Sequence, residues 1–201
     1  TDTAFPYRVC GPERDSPPGC LPSRGAGGRI DAGDWRAVSP SVGRAVAPDP
    51  QDPEVVFSGG VSRFDRRTGQ TQNVRQAPVD NEREGPLVFS ADGRTLYYAS
   101  NVVWRGAGGV TWSDMSPELA GDGSLISSLA PSTIDNRIMW AGTDAGEVHV
   151  TRDAGLTWTR VTVPGVAPGW RISAIEASHF GPAFPPAPIG IYASAGRKHE
   201  D

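Results

Sequence analysis

A unit of about 40 residues recurs along the chain, and this repeat constrains the fold more than any other feature of the sequence. Each copy reads as a strand, a turn rich in Pro and Asp, and an apolar strand that ends in an aromatic residue followed by small residues. The aromatic residues are Phe57, Tyr98, Trp140 and Tyr192, at intervals of 41, 42 and 52 residues. The longer last interval contains FGPAFPPAP, whose prolines cannot donate ladder hydrogen bonds, so this segment should protrude as a loop.

The repeat length predicts the fold class. Periods of roughly 40–50 residues are typical of four-stranded propeller blades, which cannot bury a core singly and therefore stack on one another. The 25 Gly, 19 Pro and six Trp fit many short strands joined by tight turns. We therefore predict an all-β protein: a β-propeller of four-stranded antiparallel blades, present as a partial ring of about three to four blades.

The repeats also suggest how the chain is organised. Residues 1–45 read as a loop-rich segment that holds both cysteines and the start of a blade, and residues 46–201 read as blades. We place the repeats near 46–87, 88–128, 129–174 and 175–201, the last of them incomplete. We expect further blades, from the same or another chain, to complete the ring.

The segment TRDAGLTW matches the pattern Ser/Thr-x-Asp-x-Gly-x-Thr-Trp at every fixed position. Those positions are Thr151, Asp153, Gly155, Thr157 and Trp158. Asp153 can accept hydrogen bonds from its own turn, Gly155 can supply a positive φ, and Trp158 can fold back onto the hairpin. The preceding repeat, RGAGGVTW, keeps the Gly and the Trp but has Ala107 in place of the Asp. A copy that loses the carboxylate and keeps the turn indicates a structural role.

This motif resembles the Asp box, or BNR repeat, of sialidases, xyloglucanases and the propeller of sortilin-type sorting receptors. In those families the box lies at the blade periphery, so the resemblance implies a marker of the fold. Stretches such as FPYRVCGPERDS, DWRAVSP and WRISAIEAS resemble large exported bacterial proteins with BNR or sortilin N-terminal-like repeats. Those WD40/YVTN/BNR-like propellers are often named glycosyl hydrolases. The resemblance implies an extracytoplasmic location, secreted or periplasmic, and additional blades on either side.

Cys10 and Cys20 are the only cysteines. The Gly- and Pro-rich segment between them can turn back on itself, so a disulfide is the leading interpretation and two free thiols are the main alternative. A metal site is least favoured, because two sulfurs with no nearby His leave a tetrahedral site incomplete. A disulfide would favour an oxidising compartment.

A glycosidase would need two carboxylates that face each other across a cleft. The candidates are Asp65, Asp144, Glu147 and Glu176. We interpret Asp144 as a turn former, Asp65 as a surface partner of Arg66 or Arg67, and Glu176 as a buried strand residue. Glu176 is flanked by apolar residues, and burial would raise the pKa of its carboxyl. It is the one weak catalytic candidate.

Other catalytic signatures are missing from the sequence. By resemblance to sialidases, a sialidase would carry a Phe/Tyr-Arg-Ile-Pro segment, of which GRID and WRIS keep only the Arg-Ile. Sialidase activity is therefore less favoured than xyloglucanase-like activity. His149 in a strand is more typical of a structural group than of a base, and His179 and His199 fall in a loop and a charged tail.

Arg63, Arg66 and Arg67 could bind an anionic partner or could simply form a solvated hairpin end.

The net charge and the apolar runs of the sequence limit the classes of partner that we expect. A net charge of -4 with interspersed signs provides no basic face for nucleic acid. No apolar run approaches the roughly 18 residues of a membrane span. No signal-peptide pattern is present, although the chain begins at Thr1 and a leader could already have been removed. We predict no cofactor and no metal.

The leading hypothesis is a non-catalytic binding or scaffolding propeller region that contacts protein or glycan through its blade loops. The alternative is a glycoside hydrolase with part of its site outside this chain.

Overall fold

The computed structural model describes residues 1–13, 16–39, 45–59, 61–74, 85–107, 111–121, 123–179 and 191–197. These ranges contain seventeen strands and two short 3-10 helices, Ala26–Gly28 and Ala32–Asp34. The all-β prediction is therefore confirmed. Neither helix has the length and apolar character that crossing a membrane requires. The chain separates into two compact units, residues 1–78 with 107–112, and residues 79–106 with 113–201.

The first unit contains two antiparallel sheets. In the three-stranded sheet the strands follow in the order β1 (Arg8–Glu13), β2 (Ser16–Pro22) and β3 (Arg36–Ala37). The four-stranded sheet runs β4 (Val46–Pro48), β5 (Val55–Ser58), β6 (Ser62–Asp65) and β7 (Gln70–Asn73). Buried Cys20, Val38 and Val56 form the apolar cluster between the two sheets.

Most of the second unit is built from three sheets. One contains β8 (Leu87–Phe89), β9 (Thr95–Ala99), β10 (Val103–Ala107) and β11 (Thr111–Asp114), of which residues 107, 111 and 112 belong to the first unit. The next contains β12 (Ile126–Pro131), β13 (Met139–Thr143), β14 (Val148–Thr151) and β15 (Thr159–Val161). The last is the pair β16 (Trp170–Ala177) and β17 (Ile191–Arg197).

The sheet β12–β15 is covered by apolar side chains on both faces. One face packs with side chains of β9 and β10, where Tyr97, Val103, Ile126 and Met139 are buried together. The other packs against β16, where Trp140, Val148 and Ile172 meet. A Cβ on Gly142 would lie 2.5 Å from Ile172 Cγ2, so a small residue is required for this close approach. Strand β13 therefore contributes alternate residues to two cores.

The repeat position assigned to Tyr98 belongs to Tyr97. Trp140 packs on the face of its sheet that meets the following sheet, and Tyr97 packs on the corresponding face of β9. Tyr98 points to the opposite face, because successive side chains alternate along a strand. Two adjacent tyrosines satisfied the sequence pattern equally, and only the side of burial separates them.

The two cysteines lie directly opposite each other on β1 and β2 and form a disulfide with an S–S distance of 2.03 Å. Cys20 is buried in the core of the first unit, and Cys10 is half-buried. Of the three alternatives left open by the sequence, the structure contains the disulfide.

Candidate binding site on the β16–β17 sheet

The turn from Thr151 to Trp158 is held by a closed set of hydrogen bonds. Thr151 Oγ1 donates to Asp153 Oδ1 at 2.8 Å and accepts from the Gly155 N–H at 2.9 Å. Asp153 also accepts from the Thr157 N–H at 2.9 Å and from the Thr157 hydroxyl at 2.5 Å. These bonds, the Thr157 hydroxyl first, hold the pKa of Asp153 below its ordinary value. The carboxylate is thus occupied by its own turn.

Two further bonds tie this turn to the rest of the second unit. Trp158 Nε1 donates to the carbonyl of Met115 at 3.1 Å, and its ring packs on the apolar core between the sheets. The Ala154 N–H donates to the carbonyl of Arg137 at 2.9 Å. Gly155 has a φ of 92°, and a Cβ there would lie 2.4 Å from Met115 Cγ. Every fixed position of the motif has a structural task here.

A second recurrent turn was missed in the sequence. Between the first and second strands of each four-stranded sheet, an Asp Oδ1 accepts from the N–H two residues later. The pairs are Asp52 with Glu54, Asp92 with Arg94 and Asp135 with Arg137. Each Asp lies five residues before Phe57, Tyr97 or Trp140. Aligning the repeats on these Asx turns would have identified Tyr97 as the repeated aromatic.

Asp144 and Glu147 lie at the turn between β13 and β14. Asp144 is buried, and its Oδ1 accepts from the Leu125 N–H at 2.9 Å, so its carboxylate ties this turn to the residue that precedes β12. Its turn-forming role stays a prediction. Glu147 is bonded to Arg160 Nη1 at 3.0 Å and lies 3.4 Å from His149 Nε2. His149 is thus a half-buried member of a strand-surface network.

The expectation that Glu176 is buried is wrong. Its side chain is 68% exposed, and Oε1 lies 2.9 Å from His179 Nε2. Ile175 and Ala177 are buried, but they flank Glu176 in an alternating strand and therefore point to the opposite face. The Nδ1 of His179 lies 3.5 Å from Thr133 Oγ1, so Thr133, which is 46 residues away in sequence, joins Glu176 and His179 at one place.

Distance separates Glu176 from Asp144 and Glu147, the other candidate carboxylates of the second unit. The Gly169 N–H donates to the carbonyl of Ala145, so β16 begins beside the turn that holds Asp144 and Glu147. Glu176 lies seven residues further along an extended strand, or roughly 20 Å away. A pair of glycosidase carboxylates lies about 5–10 Å apart, so these residues cannot act as such a pair.

The outer face of the β16–β17 sheet, opposite the side that packs on β12–β15, is polar. Arg171, Ser173 and Glu176 are exposed there, and Ser173 Oγ lies 2.8 Å from Ser194 Oγ. We call this surface, together with His179 and Thr133, the polar face. It offers carboxylate, guanidinium, imidazole and hydroxyl groups to a ligand.

The arginines predicted to bind an anion do not converge. Arg67 bonds both carboxylate oxygens of Asp52, at 2.5 and 3.0 Å, and lies 3.7 Å from Asp65. Arg63 lies 3.9 Å from Asp65. Arg66 is half-buried, with Nη2 3.8 Å from Cys10 Sγ, and burial lowers the pKa of its guanidinium, with nearby Arg8 adding to this effect. The anion-binding interpretation stays a prediction.

His199 and the Pro-rich segment at 180–188 lie outside the described residues. Within the described ranges, no group of three or more His, Cys, Asp or Glu side chains is arranged to hold a metal ion.

Comparison with solved structures identifies the fold. No protein-family model matches the sequence, and no curated protein matches it. The GH74 enzyme of Niastella koreensis superposes with a TM-score of 0.58 and 16% identity, over 85% of this chain and 33% of that one. The Dos1 propeller superposes with a TM-score of 0.50 and 20% identity, over 68% of this chain and 38% of that one.

The chain thus spans about a third of the length of these neighbours. At such identities the likeness establishes the fold alone, and it agrees with the successive antiparallel sheets seen here. The fold is a β-propeller, as the repeat predicted.

Proposed function

We propose that the chain is a non-catalytic ligand-binding or scaffolding β-propeller region of an exported bacterial protein, and that its polar face contacts a protein or glycan ligand. The observation that carries this proposal is the exposed meeting of Glu176, His179 and Thr133. The other candidate carboxylates of that unit, Asp144 and Glu147, are bonded to Leu125 and Arg160 and lie roughly 20 Å away.

The chemistry of the polar face suits binding. Exposed carboxylate, imidazole and hydroxyl groups exchange hydrogen bonds with water at little cost and can do the same with sugar hydroxyls or peptide amides. The contact between Glu176 and His179 orients both side chains before a ligand arrives, which reduces the entropy lost on binding. Arg171 and Ser173 extend the same surface along β16.

The finer family assignment belongs to the same proposal. The hydrogen bonds of Thr151, Asp153 and Thr157, together with the anchoring of Trp158, support interpreting this segment as an Asp box of the BNR type. The disulfide supports an extracytoplasmic location, because such bonds persist in oxidising compartments. Further blades, from this or another chain, would extend the stack.

A glycoside hydrolase is the second candidate function. Glu176 is a solvent-accessible carboxylate paired with a histidine, and one solved structural neighbour is named a GH74 enzyme. On this alternative the second carboxylate would come from outside this chain.

Binding and turnover measured on the same ligands separate the two functions. The ligand panel contains soluble polysaccharides, chromogenic glycosides and a peptide library, tested against the wild type and Glu176→Gln. The matched control is Glu118→Gln, because Glu118 is also exposed and accepts one side-chain hydrogen bond, from Asn101. We expect binding without turnover, weakened by about tenfold in Glu176→Gln alone, which corresponds to one charge-assisted hydrogen bond.

Turnover that disappears in Glu176→Gln would establish the enzyme instead. Equal binding by the two variants would remove the polar face from the proposal.

A further inference from the structure

The two cysteines of the disulfide differ in their access to solvent. Cys20 is 1% exposed and is buried with Val38 and Val56 between the two sheets of the first unit. Cys10 packs against the same cluster but is only half-buried. A thiol in solution can therefore reach the bridge at Cys10, and the apolar cluster keeps it from Cys20.

A guanidinium lies beside the accessible cysteine. Arg66 directly follows β6, and its Nη2 is 3.8 Å from Cys10 Sγ. Its Nε is buried and has no hydrogen-bond partner among the described residues. A partly buried cation is stabilised by an anion placed in contact with it. The neutral disulfide supplies no such anion, whereas a thiolate on Cys10 would supply one.

The other charged groups on this side of β1 form an ion-paired set of their own. Arg8 lies two positions before Cys10 on the strand, so the two side chains share a face. Arg8 bonds Asp2 Oδ2 at 3.0 Å and Glu54 Oε1 at 2.9 Å. Both carboxylates are thus held by Arg8, and the charged group within 4 Å of Cys10 Sγ is the guanidinium of Arg66.

These surroundings give the two thiols of the reduced protein different acidities. A neighbouring cation lowers the pKa of a thiol, and burial among apolar side chains raises it. In the reduced protein Cys10 therefore ionises at lower pH, and Cys20 stays protonated. Since the thiolate is the nucleophile, Cys10 is the reactive member of the pair.

We propose that Cys10 is a thiol–disulfide exchange site, at which a small external thiol opens the bridge to Cys20 and Arg66 holds the Cys10 thiolate that results. The site lies wholly within the first unit, and it does not rest on the function proposed for the polar face. The strand register keeps Cys10 opposite Cys20, so the bridge re-forms when an external disulfide is supplied.

The exchange takes two steps. An external thiolate attacks Cys10 Sγ: a bond forms between the two sulfurs, the bond from Cys10 to Cys20 breaks, and its electron pair passes to Cys20 Sγ, which takes a proton from water. A second external thiolate then attacks the external sulfur of this mixed disulfide. The external thiols leave as their own disulfide, and the electron pair stays on Cys10 Sγ beside Arg66. Two external thiols are oxidised, and one protein disulfide is reduced.

Exchange on the oxidised full chain tests where external thiols enter. The chain is incubated with reduced glutathione at mildly alkaline pH, blocked with N-ethylmaleimide and digested with trypsin. Cleavage after Arg14 puts the two cysteines on separate peptides, 9–14 and 15–24. We expect glutathione on the Cys10 peptide at least about tenfold more often than on the Cys20 peptide. Equal or greater labelling of Cys20, or a bridge that glutathione does not open at any concentration, would overturn the proposal.

Alkylation of the reduced full chain as a function of pH tests the role of Arg66. The bridge is reduced with a phosphine, and the reaction with iodoacetamide is measured on the same two peptides. We expect the midpoint for Cys10 to lie about one pH unit below the ordinary thiol value of about 8.5, while Cys20 reacts slowly throughout. Arg66→Gln should raise the Cys10 midpoint by about one pH unit, and Arg66→Lys should keep it low because the positive charge remains.

The matched control is Arg63→Gln. Arg63 lies in the same hairpin and is also half-buried, but its guanidinium is 3.9 Å from Asp65. This variant should leave the Cys10 midpoint unchanged. A Cys10 midpoint that does not move in Arg66→Gln, or that moves equally in Arg63→Gln, would overturn the role of Arg66.

The reactivity of Cys20 shows whether the packing between the sheets persists. In the reduced wild type, labelling of Cys20 as fast as that of Cys10 would overturn the proposal. If only Arg66→Gln makes Cys20 reactive, that variant has lost the packing, and the wild-type midpoint decides. A midpoint below the ordinary thiol value then supports the proposal, and one at or above it refutes the proposal.

Discussion

Trp112 and Trp158 make the same hydrogen bond although the residues that precede them differ in chemistry. Each indole N–H donates at 3.1 Å to the carbonyl of the residue that directly follows a fourth strand, Val74 for Trp112 and Met115 for Trp158. The turn before Trp158 is filled by the bonds of Thr151 and Asp153, whereas Arg105 and Ala107 occupy those positions before Trp112. The long-range hydrogen bond from the indole, which we call the anchor, therefore recurs at both tryptophans. The network of hydrogen bonds around a carboxylate is found only before Trp158.

Removal of the anchor should have the largest effect. Trp158→Ala loses the indole packing on the core of the second unit and leaves the carbonyl of Met115 without this donor. Because the ring is only partly buried, we expect a loss of about 2–4 kcal/mol in the free energy of unfolding. Urea denaturation measures this loss, and Trp112→Ala is the matched comparison.

Substitution of each tryptophan by Phe separates the contribution of the ring packing from that of the N–H donor. Trp158→Phe and Trp112→Phe keep a ring and lose only the N–H donor, so each should cost about 1 kcal/mol. Similar costs at the two positions would support one shared anchor. If only the Trp158 variants are destabilised, the parallel between the two tryptophans fails.

A Cβ at Gly155 should have the next largest effect. Gly155→Ala would place a Cβ 2.6 Å from the carbonyl oxygen of Met115, in a backbone with a φ of 92°. We expect a loss of about 1–3 kcal/mol, measured by the same denaturation. Ala154→Gly is the control in this turn, because Ala154 has a φ of 60° and relief of that conformation should stabilise by about 1 kcal/mol. Destabilisation by both variants would contradict this account.

Sequence reasoning succeeded where the chemistry is local. The turn from Thr151 to Trp158 is closed by bonds that span at most four residues, so its pattern of side chains was sufficient to predict its form. The all-β fold followed from the repeat for a similar reason, because each sheet is built from strands adjacent in sequence.

Contacts between distant residues were beyond this reasoning. The bond from Trp158 to Met115 spans 43 residues, and that from His179 to Thr133 spans 46. Glu176 was misjudged because apolar sequence neighbours were taken as spatial neighbours, which alternation along a strand prevents. The packing of Trp35 over Gly19 could not be identified either, since it joins β2 to a residue that follows a connecting loop.

The carboxylate of Asp153 should make the smallest and most pH-dependent contribution to the free energy of unfolding. Its folded pKa lies below the unfolded value, so the stability it adds is present above the unfolded pKa and is lost as pH falls through the folded pKa. Asp153→Asn removes this titration, and the stability difference between wild type and variant should shrink as pH falls through that window. Asp52, Asp92 and Asp135 also have lowered pKa values but titrate in both proteins, so they cancel in the difference. Thermal unfolding at a series of pH values measures this difference, and parallel curves would show that the carboxylate adds nothing to the stability of this turn.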